Sequence, residues 1–330
     1  MLLCVWNPKG LYLYNREKYS KNEVFHDYAC FFRENLYTIY MARTPTTLKK
    51  ISLLRERYYQ ALPGKESLIR TISEAEIPEH VYNSNAIENS TLSLEETEKI
   101  LLEIDLERFV SVREIHEAKN LARVTAYMEE VAPKEKLSIE LILRLHQMLI
   151  GNIDAEIAGR FRTGDEWVRV GIHIGTDPKE VEAAIEQVIT EHISDTETHI
   201  IERIARFHLA FEHIHPFCDG NGRIGRVLNN FILLREGYVP INIAFADRAQ
   251  YYKAFKEFDA FEQTKTMREI VGRALTESYH KRLAYMEGGK ITTLKEYAKG
   301  SKDSYSNLLN KAERQTIEAF QEKGVWKIVQ

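Results

Sequence analysis

The chain has 330 residues, 44% of them hydrophobic, and a formal charge of −4 at neutral pH. That is ample for a packed core plus a second domain or appendage, and too balanced in charge for a general nucleic-acid or membrane-surface binder. Cys4, Cys30 and Cys218 are odd in number, far apart and free of any C-x-x-C spacing, so reduced thiols in the cytoplasm are the expectation.

Residues 1–45 hold many aromatics, among them Trp6, Phe25, Phe31 and Tyr37, without a clear period, and stay unassigned. The apolar start at 1–6 is too short for a signal segment, and no stretch approaches the roughly 20 apolar residues that span a bilayer. Leu48, Ile51, Leu54 and Tyr58 predict a helix over 47–62, stopped by Pro63-Gly64. A short helix over 66–74 follows, then another from Pro78 as a first helical residue to 89. Ser93 with Glu96 spells a capping box, opening a helix to about 102. The spacing predicts a long amphipathic helix over 111–130, with Val112, Ile115, Ala118 and Leu121 inward and its charges on a solvated face. Ser138 caps the next helix, which buries Ile142, Leu145 and Leu149. Residues 159–175 change character: Phe161, Trp167, Val168, Val170, Ile172 and Ile174 are β-formers around a turn at Thr163-Gly164-Asp165. Asp177-Pro178-Lys179-Glu180 reads as N-cap, first turn and capping Glu of a helix to about 194.

The most informative stretch is His215-Pro216-Phe217-Cys218-Asp219-Gly220-Asn221-Gly222-Arg223-Ile224-Gly225-Arg226, a loop between amphipathic helices over 200–214 and 226–235. A helix start offers unpaired N–H groups and the positive end of the macrodipole, and Gly220 and Gly222 let a ligand approach closely, so the turn is an anion cradle. Arg223 and Arg226, three apart, supply guanidinium forks for phosphate oxygens. Asp219 suits a Mg²⁺ held by one carboxylate plus phosphates, and His215 can accept a proton near neutral pH. These are the parts of phosphoryl or nucleotidyl transfer. The G-x-G-x-x-G within the loop follows a helix, not a strand, which argues against a dinucleotide-binding βαβ unit. His208, His213 and His215 lack metal-ligand spacing; His208 is expected in the core and His213 in a local pairing. Cys218 reads as a spacer.

His-Pro-Phe-x-Asp-Gly-Asn-Gly-Arg-x-x-Arg resembles the full signature of the Fic-domain proteins, whose usual activity is transfer of AMP from ATP to a hydroxyl side chain of a protein. The resemblance implies His215 as the base that deprotonates the target hydroxyl and Asp219 as the Mg²⁺ ligand. It implies Gly220, Asn221 and Gly222 as the anion hole, with Arg223 and Arg226 on the β- and γ-phosphates. Ser84-Asn85-Ala86-Ile87-Glu88-Asn89 resembles the family's inhibitory motif. By that likeness Ser84 and Glu88 are regulatory, with Glu88 pairing Arg226 and denying it to the γ-phosphate, and the related Glu also serves AMP removal. The segment 159–175 would be the flap hairpin that presents the target. A tyrosine of the aromatic stripe in 247–261, Tyr251 or Tyr252 with Tyr252 preferred, would line the nucleoside pocket.

A last helix of the catalytic region is predicted over 267–285, and Gly288-Gly289 marks a boundary. Residues 290–330 resemble a small helix-turn-helix with a wing, in which Asp303 and several Glu dilute the basic charge needed for strong DNA binding. The expected fold is all-α: an N-terminal segment (1–45), a helical region (46–110) carrying the inhibitory helix (78–90), a Fic-type core with its β-hairpin flap (111–287) and a helix-turn-helix, winged-helix-like appendage (290–330). The expected function is Mg²⁺- and ATP-dependent protein AMP transfer releasing pyrophosphate, with self-modification and homo-oligomers as open partners. Rival readings are AMP removal, UMP or phosphate transfer on the same scaffold, or a DNA-binding regulator acting weakly through 290–330.

Overall fold

The computed structural model describes residues 2–7, 10–15, 46–170 and 173–330, and it divides into two units, Met1–Lys49 and Lys50–Gln330. In the first unit β1 (Leu2–Asn7) pairs antiparallel with β2 (Gly10–Asn15), from Leu2 opposite Asn15 to Asn7 opposite Gly10. The hairpin was not foreseen, although Leu2 to Trp6 and Leu11 to Tyr14 are β-formers flanking a turn-rich Asn7-Pro8-Lys9-Gly10. Cys30, Phe25, Phe31, Phe32 and Tyr37 lie outside the described residues, as does Ile172 of the expected flap.

The second unit is mostly helical with small antiparallel sheets. Helix α1 (Thr46–Ala61) buries Ile51, Leu54 and Tyr58 and stops at Pro63-Gly64, where Gly64 takes φ +77°. Helix α2 (Glu66–Ile87) corrects an expectation: the two segments read at 66–74 and 78–89 are one helix with Pro78 inside it. Proline there forfeits an i→i−4 bond and costs about 3 kcal/mol in isolation. Tertiary contacts on either side override it. Ile72 and Val81 are in the core, and the buried Glu76 carboxylate meets Arg282 at 2.7 Å and Lys281 at 3.1 Å.

Helices α3 (Leu94–Leu101), α4 (Val112–Val131) and α5 (Ile139–Ile150) begin where Ser93, Ser111 and Ser138 cap them, with the capping box of Ser93 and Glu96 complete. Val112, expected inward, is 65% exposed, because it sits in the first turn beyond the reach of the core. The flap is narrower than its β-formers suggest: β3 (Arg169–Val170) and β4 (His173–Ile174) pair antiparallel, whereas Phe161 is buried outside any strand. Helix α6 (Val181–Ser194) starts later than predicted, with Glu180 as its N-cap. Asp177 instead accepts the Lys179 N–H at 3.0 Å, closing a short turn of its own.

Helices α7 (Ile200–Ile214) and α8 (Asn221–Arg235) pack together at the centre. Every residue from 223 to 233 of α8 is buried, and the helix also touches α2, α4 and α5. It begins at Asn221, five residues earlier than read from its apolar spacing, and ends as expected with Gly237 in the left-handed region. Helix α9 (Arg248–Phe261) and α10 (Lys265–Glu287) cover the far side, although Phe261 of the aromatic stripe is exposed.

After Gly288 come β5 (Ile291–Thr293), α11 (Leu294–Gly300), α12 (Tyr305–Glu313), β6 (Ala319–Glu322) and β7 (Val325–Val329), with strand order β5-β7-β6. Leu294, Leu308, Ala312, Ala319 and Ile328 form a small core of their own. Strand β6 lies on α10, where Glu277 accepts the Gln321 N–H at 2.7 Å and Tyr285 donates to Glu322 at 2.7 Å. Among the described residues no helix is long and apolar enough to cross a membrane.

Glu76 joins α2 to α10, and burial would raise its pKa, but Arg282 and Lys281 beside it hold it down at about 2. Glu76→Ala strands two buried cations and should cost about 3–5 kcal/mol in urea unfolding, as breaking a buried ion pair does. Adding Arg282→Met should recover part of that loss, and simple additivity of the two changes would refute the coupling.

A candidate anion site at the start of a buried helix

The loop between α7 and α8 is held from behind. Arg162 is 1% exposed and spends its guanidinium on main-chain carbonyls: His215 at 2.7 Å, Glu166 at 2.9 Å, Thr176 at 2.8 Å and Ile214 at 3.2 Å. These bonds fix His215 in the left-handed region at φ +52°, a strained conformation for a residue with a Cβ. Phe217 is fully buried and stacks on His146 with ring centroids 3.7 Å apart. His146 accepts the Gly159 N–H at 3.0 Å, so its other nitrogen carries the proton and donates to the Asp219 carbonyl at 3.0 Å.

Asn221 closes the loop with both ends of its amide, accepting the Phe217 N–H and donating to the Phe217 carbonyl, each at 2.8 Å. Its side chain is therefore structural, and what it offers an anion is its main-chain N–H in the first turn of α8. Gly220 precedes it at φ +81°. At Gly222 a Cβ would collide with the carboxylate of Glu88, so the absent side chain lets that anion sit over the helix start.

Glu88 arrives from the C-terminal end of α2, which Arg248 secures by donating to Ile87 O at 2.9 Å and Asn89 Oδ1 at 2.6 Å. Glu88 Oε1 accepts from Arg226 Nη2 at 3.0 Å. The same guanidinium donates to Ser84 Oγ at 2.9 Å, Ser84 O at 2.8 Å and the Tyr251 hydroxyl at 3.1 Å. Ser84, Glu88 and Arg226, far apart in sequence, thus meet in one network. Tyr251 stands behind Arg226, bonded also to His208 Nε2 at 2.7 Å, while Tyr252 lines the pocket beside Glu88, His215 and Gly222.

Asp219 and Arg223 form a second cluster. Arg223 Nη2 lies 3.0 Å from Asp219 Oδ1 and its Nη1 3.1 Å from Glu117, while Asp219 Oδ2 pairs with Arg113. Burial would raise the Asp219 pKa, but Arg223 and Arg113 hold it below the usual range. Arg223 and Arg226, expected on one ligand, thus serve three carboxylates: Arg226 that of Glu88, Arg223 those of Asp219 and Glu117.

His215 Nδ1 faces the Glu212 carbonyl at 3.3 Å, which only accepts, so Nδ1 carries the proton and Nε2 keeps its lone pair. Burial lowers its pKa to about 4, leaving the imidazole neutral at pH 7. Glu212 is the opposite case: burial first, then the negative Glu88, raises its pKa to about 8, and its Oε1 is buried without a partner.

Several residues of this site carry no signature in the sequence. Arg162 and His146 act through main-chain carbonyls that only the fold brings near. Arg113 and Glu117 are an i,i+4 pair that looks like a solvated helix face, yet Glu117 is mostly buried against Arg223. Glu212 reads as a polar interruption of an apolar stripe. Of the histidines set aside, His208 is a core residue as expected, but His213 bonds Asp259 on α9 rather than a neighbour in sequence.

Glu212 binds a proton on folding between its ordinary value of 4.5 and about 8, so its contribution makes the fold lose stability as pH rises through that window. Glu212→Gln should flatten this part of the thermal-stability profile and raise the melting temperature at pH 8. An unchanged slope would mean the carboxyl is ionised in the native state.

Residues 136–233 match the model of the Fic/DOC family. The chain is 33% identical over 210 residues to the protein adenylyltransferase Fic of Nematostella vectensis, covering 62% of this chain and 48% of that protein. It is 31% identical over 234 residues to the protein of the same name from Drosophila mojavensis, covering 66% and 45%. It therefore spans about half the length of the curated relatives it matches. Among solved structures, Fic-1 from C. elegans superposes with a TM-score of 0.64 at 26% identity, covering 78% of this chain and 77% of that one. A Fic-domain signalling protein from Bacteroides thetaiotaomicron shares the fold, with a TM-score of 0.65 at 23% identity over 73% of this chain and 98% of that one. The loop that organises the site, and nearly all of the helix pair around it, fall inside this segment, which is similar to the Fic/DOC family.

Proposed function

We propose that the protein transfers AMP from ATP to a hydroxyl side chain of a protein target, releasing pyrophosphate, and that Glu88 restrains it. The observation that carries the reading is the Glu88 carboxylate seated over Gly222 and on Arg226. An anion of the chain itself sits against the first turn of α8 and on a buried guanidinium, so this position fits a phosphate oxygen. The relatives called protein adenylyltransferase Fic supply the nucleotide and the class of acceptor.

In this reaction Gly220, Asn221 and Gly222 offer their main-chain N–H groups to the phosphates. Arg223 and Arg226 balance the charge that develops on the leaving pyrophosphate, the former by loosening from Glu117 and the latter by releasing Glu88. The neutral His215 takes the hydroxyl proton at Nε2 as the target oxygen attacks the α-phosphorus in line. Tyr252 borders the space where the nucleoside would lie. The flap strands β3 and β4 would hold an extended target segment by added strand pairing.

Asp219 fits a Mg²⁺ ion. Its Oδ2 is engaged by Arg113, whose side chain is 56% exposed and free to swing away, and a hard cation needs one such carboxylate plus phosphate and water. Such an ion, when bound, would neutralise phosphate charge. Glu88, beside the deprotonating His215, also suits the reverse hydrolysis, in which it would orient a water.

Glu88→Gly should raise incorporation of α-labelled ATP, into the protein itself or a target, by about tenfold or more, equivalent to about 1.4 kcal/mol of relieved competition. Unchanged labelling would remove Glu88 as the restraint. In that background His215→Ala should lower labelling by about 10²–10⁴-fold, as loss of a general base does, while nucleotide affinity measured calorimetrically stays within a few-fold. Retained labelling would overturn the role of His215.

A further inference from the structure

Three side chains from three elements converge beside the flap: His173 on β4, His213 in the last turn of α7 and Asp259 on α9. One ligating atom from each lies within 4.8 Å of the other two. His213 Nδ1 is 2.8 Å from Asp259 Oδ1, and His173 Nδ1 is 3.9 Å from the same oxygen. Donors bound at about 2.0–2.1 Å around a tetrahedral ion stand about 3.3 Å apart, so these separations straddle what an ion requires. Shifts of less than an ångström would equalise them.

The hydrogen bonds favour ligation over a simple ion pair. His173 Nε2 lies 2.7 Å from the His213 carbonyl, an acceptor only, so Nε2 carries the proton and the Nδ1 lone pair is turned toward Asp259. Orientation of a ligating imidazole through its other nitrogen is the usual outer support of a metal centre, and here one ligand residue supplies it to the other. The His213 side chain is 45% exposed and Asp259 30%, which leaves an entry path and room for water as a fourth ligand.

We propose that His173, His213 and Asp259 form a site for a borderline divalent ion of the Zn²⁺ class. Two imidazoles and one carboxylate suit such an ion, whereas Mg²⁺ prefers oxygen throughout. The site is separate from Asp219. His173 and His213 also line the pocket that holds His215 and Glu88. An ion there ties the flap strand β4 to α7 and α9, setting the position of the edge that faces the catalytic loop. This inference stands whether or not the chain transfers AMP.

The test uses the full chain, stripped with a chelator and titrated with ZnCl₂, read by calorimetry and by elemental analysis after dialysis. The wild type should hold about one Zn²⁺ per chain, and Asp259→Asn and His213→Ala should each bind at least about tenfold more weakly. Co²⁺ should give the intense visible absorption of a four-coordinate centre in the wild type and not in Asp259→Asn. Zn²⁺ should also slow amide exchange across 168–176 in the wild type alone. Melting temperatures of the metal-free proteins, equal within a few degrees, show that the variants fold. Binding of equal strength in wild type and Asp259→Asn identifies an adventitious ion elsewhere, and that result, or no binding by the wild type, overturns the site.

Discussion

The site depends on one buried guanidinium. Arg226 is buried, and a buried cation persists only with its hydrogen bonds satisfied. Ser84 supplies a hydroxyl and a carbonyl, Tyr251 a hydroxyl, and Glu88 the only carboxylate bonded to it among the described residues. Three of these four contacts are neutral and belong to the frame. The fourth sits at the pocket edge on the last residue to cap α2. The charge of Arg226 is therefore permanently solvated by fixed dipoles, while under the proposed function the countercharge is the exchangeable part.

Exchange of that countercharge needs a rigid surround. Helix α2 is tied at its middle to α10 by Glu76 with Arg282 and Lys281, and at its end to α9 through Arg248. A helix anchored at both places does not move as a body. Displacement of Glu88 is then a matter of side-chain rotation, which takes far less free energy than unpacking a helix whose Val81, Ala86 and Ile87 are buried. The second cluster has the same logic: Arg223 is held by Glu117 and Asp219, and the half-exposed Arg113 is the contact most readily given up.

Much of this was legible in the sequence, for a local reason. Ser93, Ser111 and Ser138 announce helices because a cap is decided within four residues. The glycines and arginines of 215–226 announce an anion site because cradle and charge lie in one stretch. What stayed hidden depends on distance along the chain. Pro78 reads as a helix start until the burial of Ile72, Glu76 and Val81 on either side of it is known. Asp177 reads as an N-cap, but its carboxylate closes an earlier turn. Asn221 reads as part of the anion hole, but that its side-chain amide is consumed by Phe217, leaving only the main-chain N–H, shows in the fold alone. Glu117 reads as a solvated charge, and its partner Arg223 is supplied by another helix.

Glu212 shows how such hidden residues bear on the chemistry. It lies one turn before His215, whose Nδ1 is 3.3 Å from its main-chain carbonyl and 3.9 Å from its carboxyl Oε2. The carboxyl also lines the pocket that Glu88 lines, and two carboxylates sharing a pocket with one guanidinium cannot both be ionised at low cost. Glu88 is the one bonded to Arg226, and Glu212 keeps the proton. If a phosphate replaces Glu88, the anion near Glu212 becomes more negative and Glu212 stays neutral. A neutral Glu212 leaves Arg226 undivided between an internal carboxylate and the ligand. The pocket thus reserves its buried positive charge for whichever anion occupies the helix start.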